Sequence, residues 1–414
     1  MNRRKFLTGL GLLSVSAGVS AVYKYWPDQG FTNPCLSGLP KSLANHELVQ
    51  QVWSGIDPTQ VWDSHVHLVG SGDSGSGAWS SPAMDSYWHP ILKAQKHFYM
   101  NAGCVGEGHL DQSYIARMLD LVAGMRPGFK LMLYAFDWFH DENGKPDQAR
   151  SVFYIPDTYA AQVAKAHPKA FEWVASIHPY RADCVEALQA AIKDGARAIK
   201  WLPSAMGIDP LSPKCDRFYA ALAAADIPLI SHAGRELAVQ GGNQDDGNPL
   251  RLRRALDHGV KVVLAHCASD GDDQDFDNGE NGPRVKSFEL FARIMDEPRY
   301  ADKLYADISA LTQFNRAWAL KAVLQRSDWH SRLLNGSDYP LPGVMPLFSA
   351  TTMADLGLLD RAAVPVLQEI RKYNPLLFDF ALKRLLRFEQ YSFPTQVFET
   401  RRFFESVTSP KGTA

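Results

Sequence analysis

Eight short apolar runs, separated by longer amphipathic stretches, constrain the fold of this chain more than any other feature of its sequence. The runs are Val61–His65, Lys130–Phe136, Trp173–His178, Ala196–Trp201, Pro228–His232, Lys261–His266, Lys303–Ile308 and Arg332–Ser337. Helical patterns lie between them, for example at 183–194, 214–225 and 249–257. Strands that alternate with helices are typical of βα units and a parallel sheet. Eight such units predict an α/β fold, a closed (β/α)8 or TIM barrel.

Three connections between the predicted strands are long enough to be insertions, at residues 70–112, 137–157 and 269–286. Each follows the C-terminal end of a strand, and that end forms the active-site face of such a barrel. We therefore expect the insertions to form the walls or the lid of a substrate pocket.

The third insertion is acidic, which raises the possibility of a calcium loop. Asp273, Asp275 and Asp277 alternate as calcium ligands do, but Gly279 falls one place late and no correctly spaced Glu follows. The spacing favours a solvated loop.

Composition narrows the class of partner. Hydrophobic residues make up 46% of the chain and charged residues 21%, so the sequence can fill a large core. The net charge is −2 and no Lys/Arg run follows residue 5. Nucleic-acid binding therefore has no electrostatic support, and we expect a small-molecule substrate.

Five cysteines offer little support for a disulfide framework. They are Cys35, Cys104, Cys184, Cys215 and Cys267, an odd number without any CxxC spacing. The pattern favours small buried residues for the last three, and a single bridge is the less favoured alternative.

The N-terminus has the features of an export signal. Arg3 and Arg4 are followed by Phe6 and a weakly apolar run, Leu7–Val22, with a small-residue cleavage site at 19–21. The segment resembles a twin-arginine signal, which implies the twin-arginine export machinery as a partner and a periplasmic location. An uncleaved membrane anchor is the alternative.

These features divide the chain into four segments. Residues 1–26 are the export signal, 27–60 a lead segment, 61–385 the barrel and 386–414 a C-terminal tail. The tail is aromatic and charged, and we expect it to pack across the bottom of the barrel.

Candidate metal ligands follow the predicted strands. His65 and His67 end the first strand, and residues two apart on a strand point to the same side. Neutral imidazoles at that spacing suit zinc and similar divalent ions. Other strands each end in one further candidate ligand: Lys200, His232, His266 and Asp338. In a barrel these ends converge on one mouth, so the residues together predict a metal site.

The pattern resembles the amidohydrolase superfamily, and most closely its branch of amidohydrolase-related proteins. The resemblance runs from Val61 to Arg384 and includes His178-Pro179, residues 336–340 (Gly-Ser-Asp-Tyr-Pro) and residues 374–378 (Asn-Pro-Leu-Leu-Phe). It implies a barrel that carries one or two divalent metal ions, with zinc as the expected metal.

The resemblance also implies roles for the candidate ligands. His65 and His67 would hold the first metal together with Asp338, and His232 would bind a metal in either arrangement. His266 would be a ligand of a second metal, or a group that polarises the substrate when one metal is bound. Lys200 would bridge two metals as a carbamate, because a free ammonium cannot ligate a cation.

Physical chemistry suggests roles for residues around the metal. A metal-activated water is the nucleophile of this chemistry, and Asp338 is placed to move its proton. Asp63 is expected to orient a histidine, and Arg235 to clamp a substrate carboxylate. Trp201 and Trp88 are candidates for an aromatic pocket wall, as are Trp79 and Trp138.

Three functions are compatible with this sequence. The leading one is hydrolysis of an amide, lactone or ester, with Asp338 and His266 as catalytic residues. The second is non-oxidative decarboxylation at a single zinc ion. The third is an exported binding protein without turnover, which Asp338 argues against because a pure binder needs no proton shuttle.

Overall fold

The computed structural model describes residues 28–405 except Glu107, Gln240 and Glu280. The predicted export signal at residues 1–26 lies outside these residues. Within the described part of the chain, no helix is both long enough and apolar enough to cross a bilayer.

Eight parallel strands form the barrel, as the apolar runs predict. They belong to a three-stranded sheet, β1-β3-β5, and a five-stranded sheet, β12-β11-β8-β7-β6. The strands in chain order are β1 (Trp62–His67), β2 (Trp79–Ser80), β3 (Lys130–Tyr134), β4 (Phe153–Tyr154), β5 (Phe171–Val174), β6 (Ile199–Trp201), β7 (Leu229–Ser231), β8 (Val262–Leu264), β9 (Asp272–Gln274), β10 (Arg284–Lys286), β11 (Leu304–Asp307) and β12 (Leu333–Leu334). The ends of all eight barrel strands lie within four residues of the predicted boundaries.

Backbone hydrogen bonds close the barrel at the two seams between the sheets. At one seam the amide of Lys200 donates to the carbonyl of Ala175, just past β5, at 2.7 Å. At the other, the amide of Asp338 donates to the carbonyl of His65 in β1 at 2.8 Å. The second seam places two predicted metal ligands next to each other.

Helices connect the strands and cover the outside of the barrel. They are α1 (Lys41–Ala44), α2 (Glu47–Val52), α3 (Pro90–Ala102), α4 (Leu110–Ala123), α5 (Asp157–Ala166), α6 (Cys184–Lys193), α7 (Pro203–Met206), α8 (Asp216–Ala225), α9 (Arg253–Asp257), α10 (Ser287–Met295), α11 (Leu320–Gln325), α12 (Ala350–Asp355), α13 (Val364–Tyr373), α14 (Pro375–Leu385) and α15 (Arg401–Glu405). The predicted helices at 183–194, 214–225 and 249–257 correspond to α6, α8 and α9. Short 3-10 turns precede the last two.

The acidic loop is at least partly exposed over most of its described length, as expected, although some of its carboxylates are buried. Within that loop β9 and β10 pair in antiparallel fashion. Asp275 is buried, and it accepts hydrogen bonds from Arg293 at 2.7 Å and from the Asn278 amide at 2.7 Å. At Asp275, a guanidinium from outside the loop therefore takes the place of solvent.

The structure also corrects the expectation of unpaired cysteines. Cys35 and Cys104 form a disulfide with their Cα atoms 5.5 Å apart, which ties the lead segment to the end of the first insertion. Cys184, Cys215 and Cys267 are buried free thiols, as expected.

The C-terminal tail covers the N-terminal ends of the strands. Phe404 is fully buried in a cluster with Trp62, Met132 and Val263, whose side chains come from β1, β3 and β8. The Thr400 hydroxyl donates to the Trp62 carbonyl at the start of β1. This end of the barrel is therefore filled by side chains, and the opposite end carries the candidate ligands.

Candidate metal centre and active-site cavity

Asp338 lies at the centre of the predicted ligands. Its Oδ1 is 3.0 Å from His67 Nε2 and 3.4 Å from His65 Nε2, and its Oδ2 is 3.8 Å from His266 Nε2. The barrel seam between β1 and β12 produces this arrangement, because the amide of Asp338 is bound to the carbonyl of His65.

The histidines after β7 and β8 complete the group. The ring centroids of His232 and His266 are 5.2 Å apart, and those of His65 and His266 are 4.9 Å apart. His232 Nε2 is buried and makes no hydrogen bond, although a Glu236 oxygen lies 3.4 Å away. An imidazole nitrogen that is buried without a partner is costly unless something else binds it.

A buried carboxylate determines which nitrogens face the cavity. Asp307 Oδ2 accepts a hydrogen bond from His65 Nδ1 at 2.8 Å, and Asp307 Oδ1 accepts a hydrogen bond from the Ser309 hydroxyl. Because the Ser309 hydroxyl hydrogen already points to Asp307, the Ser309 oxygen can only accept a hydrogen bond from His266 Nδ1, at 2.8 Å. Both imidazoles therefore carry their proton on Nδ1, and both Nε2 atoms present a lone pair to the cavity.

Electrostatics support an ionised Asp307. Burial by itself would raise the pKa of this carboxyl, but its contacts with His65 and His266 outweigh burial and hold the pKa below its usual range. A carboxylate that orients a metal-binding histidine is a common arrangement around zinc.

The converging atoms fit a bound cation. Two sets of three ligand atoms lie within 4.8 Å of one another among the described residues: His65, His67 and Asp338 in one, and His65, His266 and Asp307 in the other. In the first set, the lone pair of His65 Nε2 faces the Asp338 carboxylate without a proton between them. A divalent ion would relieve this repulsion and would satisfy the orphaned His232 nitrogen.

Lys200 lies at the edge of the same group. Its Nζ is 3.3 Å from His65 Nε2 and the side chain is buried. Burial lowers the pKa of this ammonium to about 8, and Asp307, Asp338 and Glu236 act in the opposite direction. An ammonium at Lys200 cannot ligate a metal, and it would compete with a metal for the lone pair of His65 Nε2.

Asp63 supports the strand ends instead of an imidazole. Its Oδ1 accepts the Ser337 amide at 2.7 Å and the His65 amide at 3.2 Å. Burial raises its pKa to about 7, and the hydrogen bonds from Ser337 act against burial. The expectation that Asp63 orients a histidine side chain is thus wrong in detail, because Asp63 binds the backbone amides of Ser337 and His65.

Comparison with known proteins identifies the family. Residues 62–356 match a protein-family model described as Amidohydrolase. The chain belongs to this amidohydrolase family. None of the curated proteins matches its sequence significantly.

Solved structures are similar to this amidohydrolase at low sequence identity. An uncharacterized TIM-barrel protein from Bordetella bronchiseptica is 17% identical over 72% of this chain and 91% of that chain, with a TM-score of 0.47. A probable 2-pyrone-4,6-dicarboxylic acid hydrolase from Acinetobacter baumannii is 13% identical over 68% and 84%, with a TM-score of 0.41. A 5-carboxyvanillate decarboxylase from Sphingomonas paucimobilis is 9% identical over 83% and 98%, with a TM-score of 0.41.

The cavity of this amidohydrolase lies at the C-terminal ends of the strands and contains the ligand cluster. The first insertion supplies Met84 and Met100, and the second supplies Phe153 and Ile155. Of the described residues in the third insertion, Asp270 alone lines the cavity. Loops after β7 and β11, which the sequence did not mark as insertions, also line the cavity.

The predicted substrate-binding residues lie away from this cavity. Arg235 is half exposed and its guanidinium donates to Asp270 at 3.0 Å. Trp201 is fully buried, and its Nε1 donates to the Ile177 carbonyl at 2.9 Å. Trp88 is 92% exposed. None of the three lines the cavity of the amidohydrolase, so these assignments are corrected.

Four residues near the centre were not predicted. Asp307 and Ser309 stand behind His65 and His266, while Glu236 and Arg316 line the cavity. The signal for Asp307 is a charged residue inside an otherwise apolar strand. Glu236 and Arg316 lie in irregular loops, whose sequence has no periodicity from which their orientation follows.

Proposed function

We propose that this amidohydrolase is a metal-dependent hydrolase that cleaves an amide, lactone or ester bond of a small molecule. The observation that carries the proposal is the position of Asp338, whose carboxylate meets the unprotonated Nε2 atoms of His65 and His266. Metal ligands and a carboxylate that can accept a proton therefore lie side by side.

His65, His67 and Asp338 would hold the metal, and His232 would be its fourth protein ligand. Nitrogen ligands with a carboxylate suit zinc. His266 also faces the cavity through a lone pair, so it is better placed to ligate a second ion than to donate a hydrogen bond to a substrate. When bound, a divalent ion lowers the pKa of a water molecule to about 7 and polarises the carbonyl of the substrate.

Asp338 would then move the proton. Burial by itself raises the pKa of this carboxyl, but its contacts with His65, His266 and His67 hold the pKa well below its usual range. A carboxylate is thus present to take a proton from the attacking water at Oδ1 or Oδ2. The same group would return that proton to the leaving oxygen or nitrogen as the bond breaks.

Decarboxylation is a second candidate, and Lys200 is the observation that favours it. The ammonium is buried beside His65, and no carboxylate oxygen of a described residue lies within 4 Å of it. A buried cation next to the metal ligands suits a substrate whose carboxylate is the leaving group.

We also propose that the protein is exported to the periplasm by the twin-arginine machinery. The Cys35–Cys104 bridge supports this location, because disulfides persist in oxidising compartments. The export route carries folded proteins, which suits an enzyme that acquires its metal before export.

Metal analysis and the Asp338→Asn variant test the hydrolase proposal together. Protein purified without chelator should contain one or two equivalents of a divalent metal. In a panel of lactones, esters and amides, the products of a hydrolysed substrate should together have the mass of that substrate plus one water. Asp338→Asn should reduce kcat by at least about 100-fold, because it removes the proton acceptor. The exposed Asp302→Asn should be fully active and is the matched control.

Two results would overturn the proposal. One is full activity of Asp338→Asn with its metal retained, and the other is turnover that survives complete metal removal. Release of carbon dioxide from carboxylic acids, without hydrolysis of any panel member, would replace hydrolysis by the second candidate. A mass increase on Lys200 that matches carbon dioxide would identify the carbamate and the two-metal form.

A further inference from the structure

Arg316 is a buried cation in the wall of the cavity. It follows β11 in the loop that ends at the turn Ala317–Ala319, and only 7% of its surface is exposed. Its Nη1 donates to the Ser269 hydroxyl at 3.3 Å, and no carboxylate oxygen of a described residue lies within 4 Å of the guanidinium. A guanidinium has five N–H donors and stays charged at neutral pH, so most of its hydrogen-bonding capacity is unused.

The nearby carboxylates are engaged elsewhere. Asp270 accepts from Arg235 and from the Asn315 amide, each at 3.0 Å. Glu236 accepts the backbone amide of Val239 at 2.8 Å, and Asp338 belongs to the ligand cluster. Each of the three therefore has a partner other than Arg316, and none lies within 4 Å of the guanidinium. Burying a charge without a direct partner is costly, so an anion from outside would stabilise this site.

The rest of the cavity is mostly apolar. The side chains of Leu68, Val69, Met84, Met100, Phe153 and Ile155 line it. Two other cations line the cavity. Lys96 is already paired with Asp85 at 2.7 Å, and Lys200 Nζ lies 3.3 Å from His65 Nε2 in the ligand cluster. One unpaired guanidinium fits a single carboxylate, whose two oxygens match the guanidinium fork, better than it fits a phosphate dianion.

We infer that Arg316 binds the carboxylate of the substrate, and that the substrate is a carboxylic acid with an apolar or aromatic body. Gln313 lies close to Arg316 in the cavity wall, and its side-chain amide is a hydrogen-bond donor beside the acid. The inference rests on the proposed function in one respect, since it assumes that the reacting bond of the substrate lies at the His65–His67–Asp338 cluster. Arg316 takes the role that Arg235 was predicted to have.

Calorimetry with benzoate and with its neutral analogue benzamide tests the assignment without turnover. Zinc-loaded wild-type protein should bind benzoate at least about 10-fold more tightly than benzamide. Arg316→Gln should lose about 10- to 100-fold in benzoate affinity and little in benzamide affinity, because it removes a charged hydrogen-bond donor. Arg316→Lys, which keeps the charge but not the fork, should fall between the two.

Arg387→Gln is the matched control, because this arginine is exposed and lies outside the cavity, and it should bind benzoate like the wild type. Unchanged benzoate affinity in Arg316→Gln, or equal affinity of the wild type for benzoate and benzamide, would overturn the assignment. If Arg316→Gln does not fold, Arg316→Lys and the wild-type benzoate-to-benzamide ratio decide. Metal content is measured on each sample, so a protein without metal that still binds benzoate through Arg316 contradicts the proposed function alone.

Discussion

At the scale of single residues, the centre depends on groups that never face the substrate. Asp307 accepts hydrogen bonds from His65 and Ser309, and the Ser309 oxygen accepts a hydrogen bond from His266. One buried carboxylate thereby sets the tautomers of two neighbouring histidines, whose ring centroids are 4.9 Å apart. A change at this position should alter metal binding without removing a ligand from the cluster.

We predict that Asp307→Asn weakens metal binding about 10- to 100-fold, the range found when a residue that orients a metal ligand is changed. The amide can donate a proton to His65 Nδ1, which would favour the opposite tautomer and occupy Nε2 with hydrogen. Competition with a chromophoric chelator measures the affinity, and Asp302→Asn on the surface is the control. Wild-type affinity in Asp307→Asn would contradict the tautomer argument.

Gly336 allows the close approach of two strand ends. A Cβ at this position would lie 2.5 Å from the Cβ of His65 and 2.9 Å from its backbone nitrogen. We predict that Gly336→Ala lowers both the thermal unfolding temperature and the metal affinity, because β1 and the segment after β12 must move apart. Gly106→Ala, where the nearest atom is at 3.7 Å, should leave both quantities unchanged. Equal behaviour of the two variants would show that the seam tolerates the shift.

At the scale of elements, the two ends of the barrel have different roles, one in ligand binding and one in stability. The C-terminal ends of the strands carry the ligands, while the N-terminal ends are filled by large side chains and covered by the tail. Phe404 in α15 is fully buried against residues of β1, β3 and β8, whereas Phe403 packs on Tyr305 at 4.5 Å and is only partly buried.

We predict that Phe404→Ala lowers the free energy of unfolding by about 3–5 kcal/mol, the usual cost of removing a buried aromatic ring. Phe403→Ala should cost less, because part of that ring is already in contact with solvent. Chemical denaturation measures both, and metal content should stay at the wild-type level because the ligands lie at the opposite end. A loss of metal in Phe404→Ala at temperatures where it is folded would show that the two ends are coupled.

At the scale of the whole molecule, a covalent bridge joins segments that are far apart in sequence. The Cys35–Cys104 disulfide has a sequence separation of 69 and connects the lead segment to the insertion that supplies part of the cavity wall. The bridge should stabilise this wall as well as the fold, since it restricts the unfolded chain.

We predict that the double variant Cys35→Ser/Cys104→Ser loses about 2–4 kcal/mol of stability relative to the oxidised wild type. Reductant should lower the unfolding temperature of the wild type and leave that of the double variant unchanged, which separates the bridge from other effects of reduction. An oxidised wild type that is no more stable than the double variant would contradict the prediction.

The sequence by itself determined the barrel and the identity of most candidate ligands. A strand buried on both faces must be apolar, and a parallel strand needs a helix to return the chain, so alternation of the two is visible without any contact. His65 and His232 are the last residues of such runs, and Asp338 directly follows one. The C-terminal ends of the strands in a barrel lie on one face. Their convergence therefore follows from topology alone.

Only the tertiary structure decided which loop residues meet the ligands. Arg235 and Arg316 are both loop arginines, and nothing in their local sequence shows that one is half exposed and the other buried in the cavity. The Cys35–Cys104 pairing and the burial of Asp275 by Arg293 likewise depend on partners distant in sequence. Irregular backbone has no period that assigns side chains to a face, so such contacts exist only once the barrel has brought its loops together.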